Sequence, residues 1–281
     1  MPISKPQYDS LLKARSGLDT LLAFEEAFDA LMGNYADLES TILQTALAAM
    51  LFTERDEALD LYVARGLVGR RVLNLLSSAR LYRDAYPAHT AKVFGRKSAR
   101  AVELVRRLSE MKKSSAAYRF VDALRNSAQH TEIPVHGLSF NYKLEEKESN
   151  STSVIPKINP KSLLLDRKFP KDALKEFSPN NKEFPLMPPL RAYVEQLADL
   201  HHATRKAFDE KEKEWREAYQ VAHKMFLDRF PAERWMLIHA QPSNAESEDE
   251  IIHMPLGKYR DYLTKKNRKI RSLSKHFVKW S

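Results

Sequence analysis

Arg125, Asn126 and His130 are the residues whose types and spacing fit acid–base work on a phosphodiester. They lie in Tyr118-Arg119-Phe120-Val121-Asp122-Ala123-Leu124-Arg125-Asn126-Ser127-Ala128-Gln129-His130. On a helix at about 100° per residue, with Arg125 at zero, Gln129 falls near ~40°, Asp122 near ~60°, Asn126 near ~100° and His130 near ~140°. Ala117, Phe120, Val121, Leu124 and Ala128 take the opposite side. Asn126 and His130 are an i,i+4 pair, so their side chains can touch. Acid–base chemistry on a phosphate ester needs a proton acceptor, a proton donor and a cation that stabilises the developing charge. A histidine titrating near pH ~6.5 can act as base or acid. An arginine fork holds the phosphate and its developing charge. An ordinary amphipathic helix with a solvated face has the same wheel, and spacing alone leaves both readings open. Arg80 and Asp84, also at i,i+4, are candidate supporting residues, as are Asp122 and Gln129; for the first two a simple helix ion pair is the competing reading.

The elements that must position these residues follow from periodicity. Leu21, Leu22, Phe24, Phe28, Leu31 and Met32 recur at helical spacing, as do Leu38, Ile42, Ala46, Ala49 and Met50. This predicts long helices over 18–53 and 56–86, the second ended by Pro87. Shorter helices follow near 96–112 and 115–131, and Pro134 closes the last. Leu138, Phe140, Tyr142 and Leu144 then alternate with polar residues, which predicts a strand. Residues 145–153 read as a polar turn or loop, and 154–158 as a second strand that Pro156 places at an edge or bulge. Residues 169–189 read as mostly irregular. A long amphipathic helix runs from about Pro189 to Phe230, and Trp235–Gln241 and Glu250–Leu256 read as strands joined by an acidic loop. The fold class expected is mainly α: an up-and-down helical bundle with a small antiparallel sheet and a long helix in the C-terminal half. The division expected is a helical bundle over 1–135, a small sheet plus the long helix, packed on the bundle, over 136–257, and a basic segment over 258–281.

Composition removes several chemistries. With no cysteine there is no thiol nucleophile, disulfide framework or thiolate metal site. Only 7 glycines occur and none cluster, which argues against phosphate-cradling glycine loops. His201 and His202 are adjacent and point about 100° apart, a poor arrangement for one metal; no metal or cofactor is expected. No apolar run approaches the roughly 18 residues of a membrane span, and the N-terminal residues show no basic-then-apolar pattern, so a cytoplasmic protein without a membrane partner is expected.

Charge singles out the C-terminal segment. Residues 258–281 hold Lys258, Arg260, Lys265, Lys266, Arg268, Lys269, Arg271, Lys275 and Lys279 against Asp261 alone, nearly all of the net charge of +9. Tyr259, Tyr262, Phe277 and Trp280 are interleaved. Cations meeting phosphates and rings stacking on bases make RNA the expected partner, with Lys265, Lys266, Arg268, Lys269 and Arg271 as contacts. A solvated tail, or one packed on the sheet through its aromatics, is the competing reading.

Arg125-Asn126-Ser127-Ala128-Gln129-His130 resembles the Arg-x4-6-His motif of the HEPN superfamily, in which a polar residue, often Asn, follows the arginine. Leu73-Asn74-Leu75-Leu76-Ser77-Ser78-Ala79-Arg80-Leu81-Tyr82-Arg83-Asp84 resembles the preceding hairpin helix of uncharacterised bacterial HEPN-like proteins. The resemblance covers roughly residues 20–135. After the histidine comes Thr131-Glu132, where some toxin branches carry a tyrosine two residues on. The resemblance implies a metal-independent endoribonuclease of a toxin, anti-phage or stress-defence system. It implies catalytic Arg125 and His130, with Asn126 orienting His130 or contacting phosphate. It also implies a homodimer that pairs two motif helices, and a possible antitoxin or regulatory partner. The rival expectation is a non-catalytic helical nucleotide-binding or adaptor protein using the same pocket.

Overall fold

Apolar residues three and four apart build the long helices of this protein. In the computed structural model Leu21, Phe24, Phe28, Leu31 and Leu38 are almost wholly buried along α1 (Lys5–Leu51), as are Val68, Val72, Leu75, Tyr82 and Tyr86 along α2 (Glu57–Phe94). The structure describes residues 2–51, 57–129, 133–145, 149–167, 169–229, 239–242, 252–253, 257–270, 272–273 and 275. The chain is mainly helical, with a small antiparallel sheet and a long helix in its C-terminal half, α7 (Met187–Arg229). The remaining helices are α3 (Ala99–Ser114), α4 (Ala116–Ala128), the one-turn α5 (Pro160–Leu163) and α6 (Asp172–Lys175), and α8 (Lys258–Lys266). Among the described residues no helix is long and apolar enough to cross a membrane.

Two helix limits differ from expectation. α1 starts at Lys5, about thirteen residues early; Tyr8, Leu11 and Ala14 are buried and continue its stripe. α2 runs through Pro87 to Phe94. A proline removes one rung of the ladder and crowds the preceding turn, but buried Tyr86, Thr90 and Val93 hold the helix on both sides, and the Thr90 hydroxyl donates to the Pro87 carbonyl at 3.0 Å. α2 stops instead at Gly95, whose φ of +89° is the left-handed geometry that favours glycine. Ser98 then caps α3, its hydroxyl accepting from the Ala101 amide at 3.1 Å.

The chain divides into two compact units, each assembled from separated segments: residues 1–27, 85–105 and 201–268 in one, and 28–84, 106–200 and 269–281 in the other. In the second unit, β2 (Gly137–Glu145) pairs antiparallel with β3 (Ser149–Ile158), from Gly137 opposite Lys157 to Glu145 opposite Ser149. The polar residues 149–153, expected in a loop, are strand, because backbone ladder bonds need no apolar side chains. The short β4 (Phe184–Pro185) makes β3 the central strand, so Pro156 is not at an edge. Its carbonyl accepts from Leu186 at 2.8 Å, so its nitrogen, on the same side of the strand, faces the β4 side and spares the β2 ladder. Arg191 grips Glu39 with two bonds, 2.7 and 2.9 Å, and the Tyr35 hydroxyl donates to the same carboxylate at 2.7 Å.

In the first unit, β1 (Pro2–Ile3) runs parallel to β5 (His239–Pro242), which pairs antiparallel with β6 (Ile252–His253). The rest of the two strands expected there, and the acidic loop, lie outside the described residues. Phe24, Tyr86, Phe208, Trp215 and Leu263 fill the core. Gly17 touches the Trp215 ring so closely that an added Cβ would sit 2.5 Å from it. Gly17→Ala should therefore destabilise the protein. The helix-propensity gain is about 1 kcal/mol, and the clash with a rigid buried ring costs about 1–3 kcal/mol or more. Denaturant melts of the two forms check this; an unchanged or raised midpoint would contradict the packing.

Candidate functional site

α4 presents one face to the core and one to solvent. Its first turn is capped by the Ser115 hydroxyl, which accepts from the Tyr118 amide at 3.0 Å. Phe120 anchors it, with ring centroids 5.2 Å from Phe177, 5.5 Å from Phe184 and 6.4 Å from Phe169. Ala117, Val121 and Leu124 are buried beside it. On the polar side of the wheel Asn126 and Gln129 are exposed and Arg125 is half-buried, whereas Asp122 is largely covered.

Arg125 lies in the last turn of α4, and its guanidinium donates to the Asn126 side-chain oxygen at 3.2 Å. Among the described residues it has no carboxylate partner. The carboxylate one turn away, Asp122, is taken: Arg83 donates to it, and Lys112 lies 3.7 Å from its other oxygen. A phosphate beside Arg125 would meet the negative end of the helix dipole, so its attraction must come from side chains. His130 lies outside the described residues, as does Arg271.

Beneath this face is an ionic cluster that the sequence disclosed in part. Arg80 and Asp84 form the expected i,i+4 ion pair, half-exposed. Between them in sequence, Arg83 is buried, reaches Asp122, lies 3.4 Å from Asp84, and stacks over the Tyr118 ring at 5.8 Å. Burial opposes its charge, but the hydrogen bond it donates to Asp122 and the nearby negative groups outweigh that and hold its pKa above the usual value. Burial likewise raises the Tyr118 hydroxyl, which packs edge-on against Tyr193 at 5.1 Å. Arg83 escaped the sequence reading. The available signal was a cation on the same stripe as Ala79, Tyr82 and Tyr86, which demands a buried acid from a neighbouring helix. The structure thus brings Asp122 to the Arg83–Asp84–Arg80 group and leaves Arg125 and Asn126 facing outward.

In the other unit α8 is a packed helix rather than a frayed tail. Leu263 is buried, Arg260 donates to Glu212, Arg216 bonds Asp261 at 2.6 Å, and Arg205 reaches the Asn267 carbonyl at 3.1 Å. Tyr259 and Tyr262 are about half-exposed, their rings nearly parallel with centroids 6.4 Å apart. Lys265, Lys266 and Arg268 are exposed there, and Lys269 is exposed in the second unit. Phe277 and Trp280 lie outside the described residues.

A third polar group surrounds His201, which the sequence marked only as poorly placed to share a metal with His202. Glu25 and His201 are fully buried; Arg205 grips Glu25 with bonds of 2.8 and 2.6 Å, and His201 stacks on Phe24 at 4.3 Å. Burial drives His201 down to about 4, against the pull of Glu25. Burial raises Glu25, but its hydrogen bonds to His201 and Arg205 prevail and bring it to about 2. Among the described residues no group of three or more His, Asp or Glu side chains is placed to hold a metal ion. No known family, no curated protein and no solved structure matches this chain.

Proposed function

We propose that this chain is a metal-independent endoribonuclease of the HEPN type, acting as a toxin or a stress- or phage-defence effector. In this reading Arg125 holds the scissile phosphate and stabilises the phosphorane, His130 exchanges the proton, and Asn126 fixes the geometry of either partner. One arginine and one histidine underfill the reaction, so a second copy of the motif helix across a two-fold axis supplies the rest. The observation that carries the reading is Arg125 itself: a guanidinium without a carboxylate partner among the described residues, on a helix rigidly anchored through Phe120, while the neighbouring Asp122 is already neutralised by Arg83. Incubating the full chain with RNA in EDTA, beside His130→Ala, tests it. Cleavage by the wild type alone is the expected result. Equal cleavage by both proteins would remove His130 as catalyst, and none by either would favour a binding or adaptor role.

The exposed tyrosine pair and the cations that follow it on α8 support an RNA-binding role in the same reading. Deleting the segment would also remove Leu263 and the Arg260 and Asp261 pairs, so charge neutralisation is the cleaner probe. Changing Lys265, Lys266 and Arg268 to Gln should reduce the log–log salt slope of RNA affinity by about 2, at roughly 0.7 per lost phosphate contact. The melting temperature should barely move. Filter binding across a salt series reads this out, and an unchanged slope would assign these cations no RNA contact.

A further inference from the structure

We propose that the first unit carries a binding site for a small organic phosphomonoester, in the cavity between the N-terminal part of α1 and the C-terminal part of α2. The cavity has a volume of about 320 Å³, at the lower end of the range for small-molecule sites. Arg15, Ser16 and Asp19 line it from α1, and His89 and Lys92 from α2, with Leu12 and Ala23 as apolar wall. Its polar groups converge from two helices. Arg15 is only loosely engaged with Asp19, at 3.7 Å, and Lys92 is exposed and makes no ion pair among the described residues. The His89 ring packs at a steep angle against Phe24, centroids 6.0 Å apart, and makes no hydrogen bond among the described residues.

The charge balance selects the ligand. Arg15, Lys92 and a protonated His89 set against Asp19 sum to +2, which matches a phosphomonoester dianion. Without a ligand, burial and the Lys92 charge hold His89 below its ordinary value, so it is neutral near pH 7. A bound dianion cancels the influence of Lys92 and draws a proton onto the ring. Arg15 and Lys92 supply charge-assisted hydrogen bonds to phosphate oxygens, and Leu12 and Ala23 offer an apolar wall to the organic portion. The buried Tyr219 hydroxyl, without a hydrogen-bond partner among the described residues, is within electrostatic reach of both Asp19 and Arg15 and is a further polar group close to the site.

The test is calorimetric titration of the full chain with phenyl phosphate, inorganic phosphate and phenol near pH 7.5, where a phosphomonoester with a second pKa of about 6 is dianionic. Saturable binding of phenyl phosphate is expected, several-fold tighter than inorganic phosphate, with no binding of phenol. Arg15→Gln and Lys92→Gln should each weaken it about tenfold or more, and Asp19→Asn should tighten it. Titrations in buffers of different ionisation enthalpy should reveal proton uptake that His89→Gln abolishes. Circular dichroism melts confirm that each variant is folded. Affinity insensitive to both Arg15→Gln and Lys92→Gln in folded protein would overturn the site, as would phenol binding as well as phenyl phosphate. Inorganic phosphate binding as tightly as the ester would remove the organic ligand. The assay contains no RNA, so its outcome is independent of the nuclease reading.

Discussion

Arg125→Ala is expected to lower RNA cleavage by at least about 100-fold in kcat/KM, the usual cost of losing a group that stabilises transition-state charge. Stability should shift by no more than about 0.5 kcal/mol, because the guanidinium is half-exposed and its hydrogen bond in the structure is to the neighbouring Asn126. Arg125→Lys should recover only part of the rate, since an ammonium keeps the charge but loses the two-pronged geometry. Asp122→Asn should behave differently. It removes the charge that buried Arg83 bonds most closely and leaves only the longer contact to Asp84, so its loss should appear first in the melting curve. Wild-type turnover by Arg125→Ala would remove Arg125 from the chemistry, whatever became of His130.

The second large effect concerns Glu25. Its carboxylate is fully buried and held by two bonds from Arg205. Arg205→Ala removes the cation and leaves that buried charge with only the His201 contact at 3.3 Å, a loss of about 3–5 kcal/mol, readable as a fall in the denaturant midpoint. The double change Glu25→Gln with Arg205→Met should cost less than Arg205→Ala alone, because no bare charge remains. The same cluster sets the response to acid. His201 is depressed in the folded state to about 4 from an ordinary ~6.5. Its contribution is therefore fully present above pH ~6.5 and is lost as pH falls toward 4, by about 3 kcal/mol in all. Glu25, at about 2, adds a second loss between pH ~4.5 and 2. His201→Gln should flatten the stability curve between pH 6.5 and 4; a slope there equal to the wild type's would place the titrating group elsewhere.

Much of this architecture was legible because it is written as local periodicity. Leu138, Phe140, Tyr142 and Leu144 alternate and form β2; Phe120, Val121 and Leu124 share a face and bury it. What escaped depends on partners distant in sequence. Pro87 was read as a stop because propensity is local, whereas the packing of Tyr86 and Val93 that overrides it is not. Residues 149–153 were read as loop because their side chains are polar, yet strand pairing needs only their backbone. Arg83 was passed over beside Arg80 and Asp84, because only the fold brings Asp122 within its reach. His201 and Glu25 stand 176 positions apart, and nothing local in either segment announces the other.

The tight seat of Trp215 over Gly17 also has an optical consequence. The indole is 4% exposed and its nitrogen has no hydrogen-bond partner among the described residues. An indole shielded from water and unbonded at nitrogen emits at shorter wavelength than a solvated one. The chain has three tryptophans, Trp215, Trp235 and Trp280, so changing the other two to Phe leaves Trp215 as the sole emitter, whose emission then reports whether the Gly17 contact is closed.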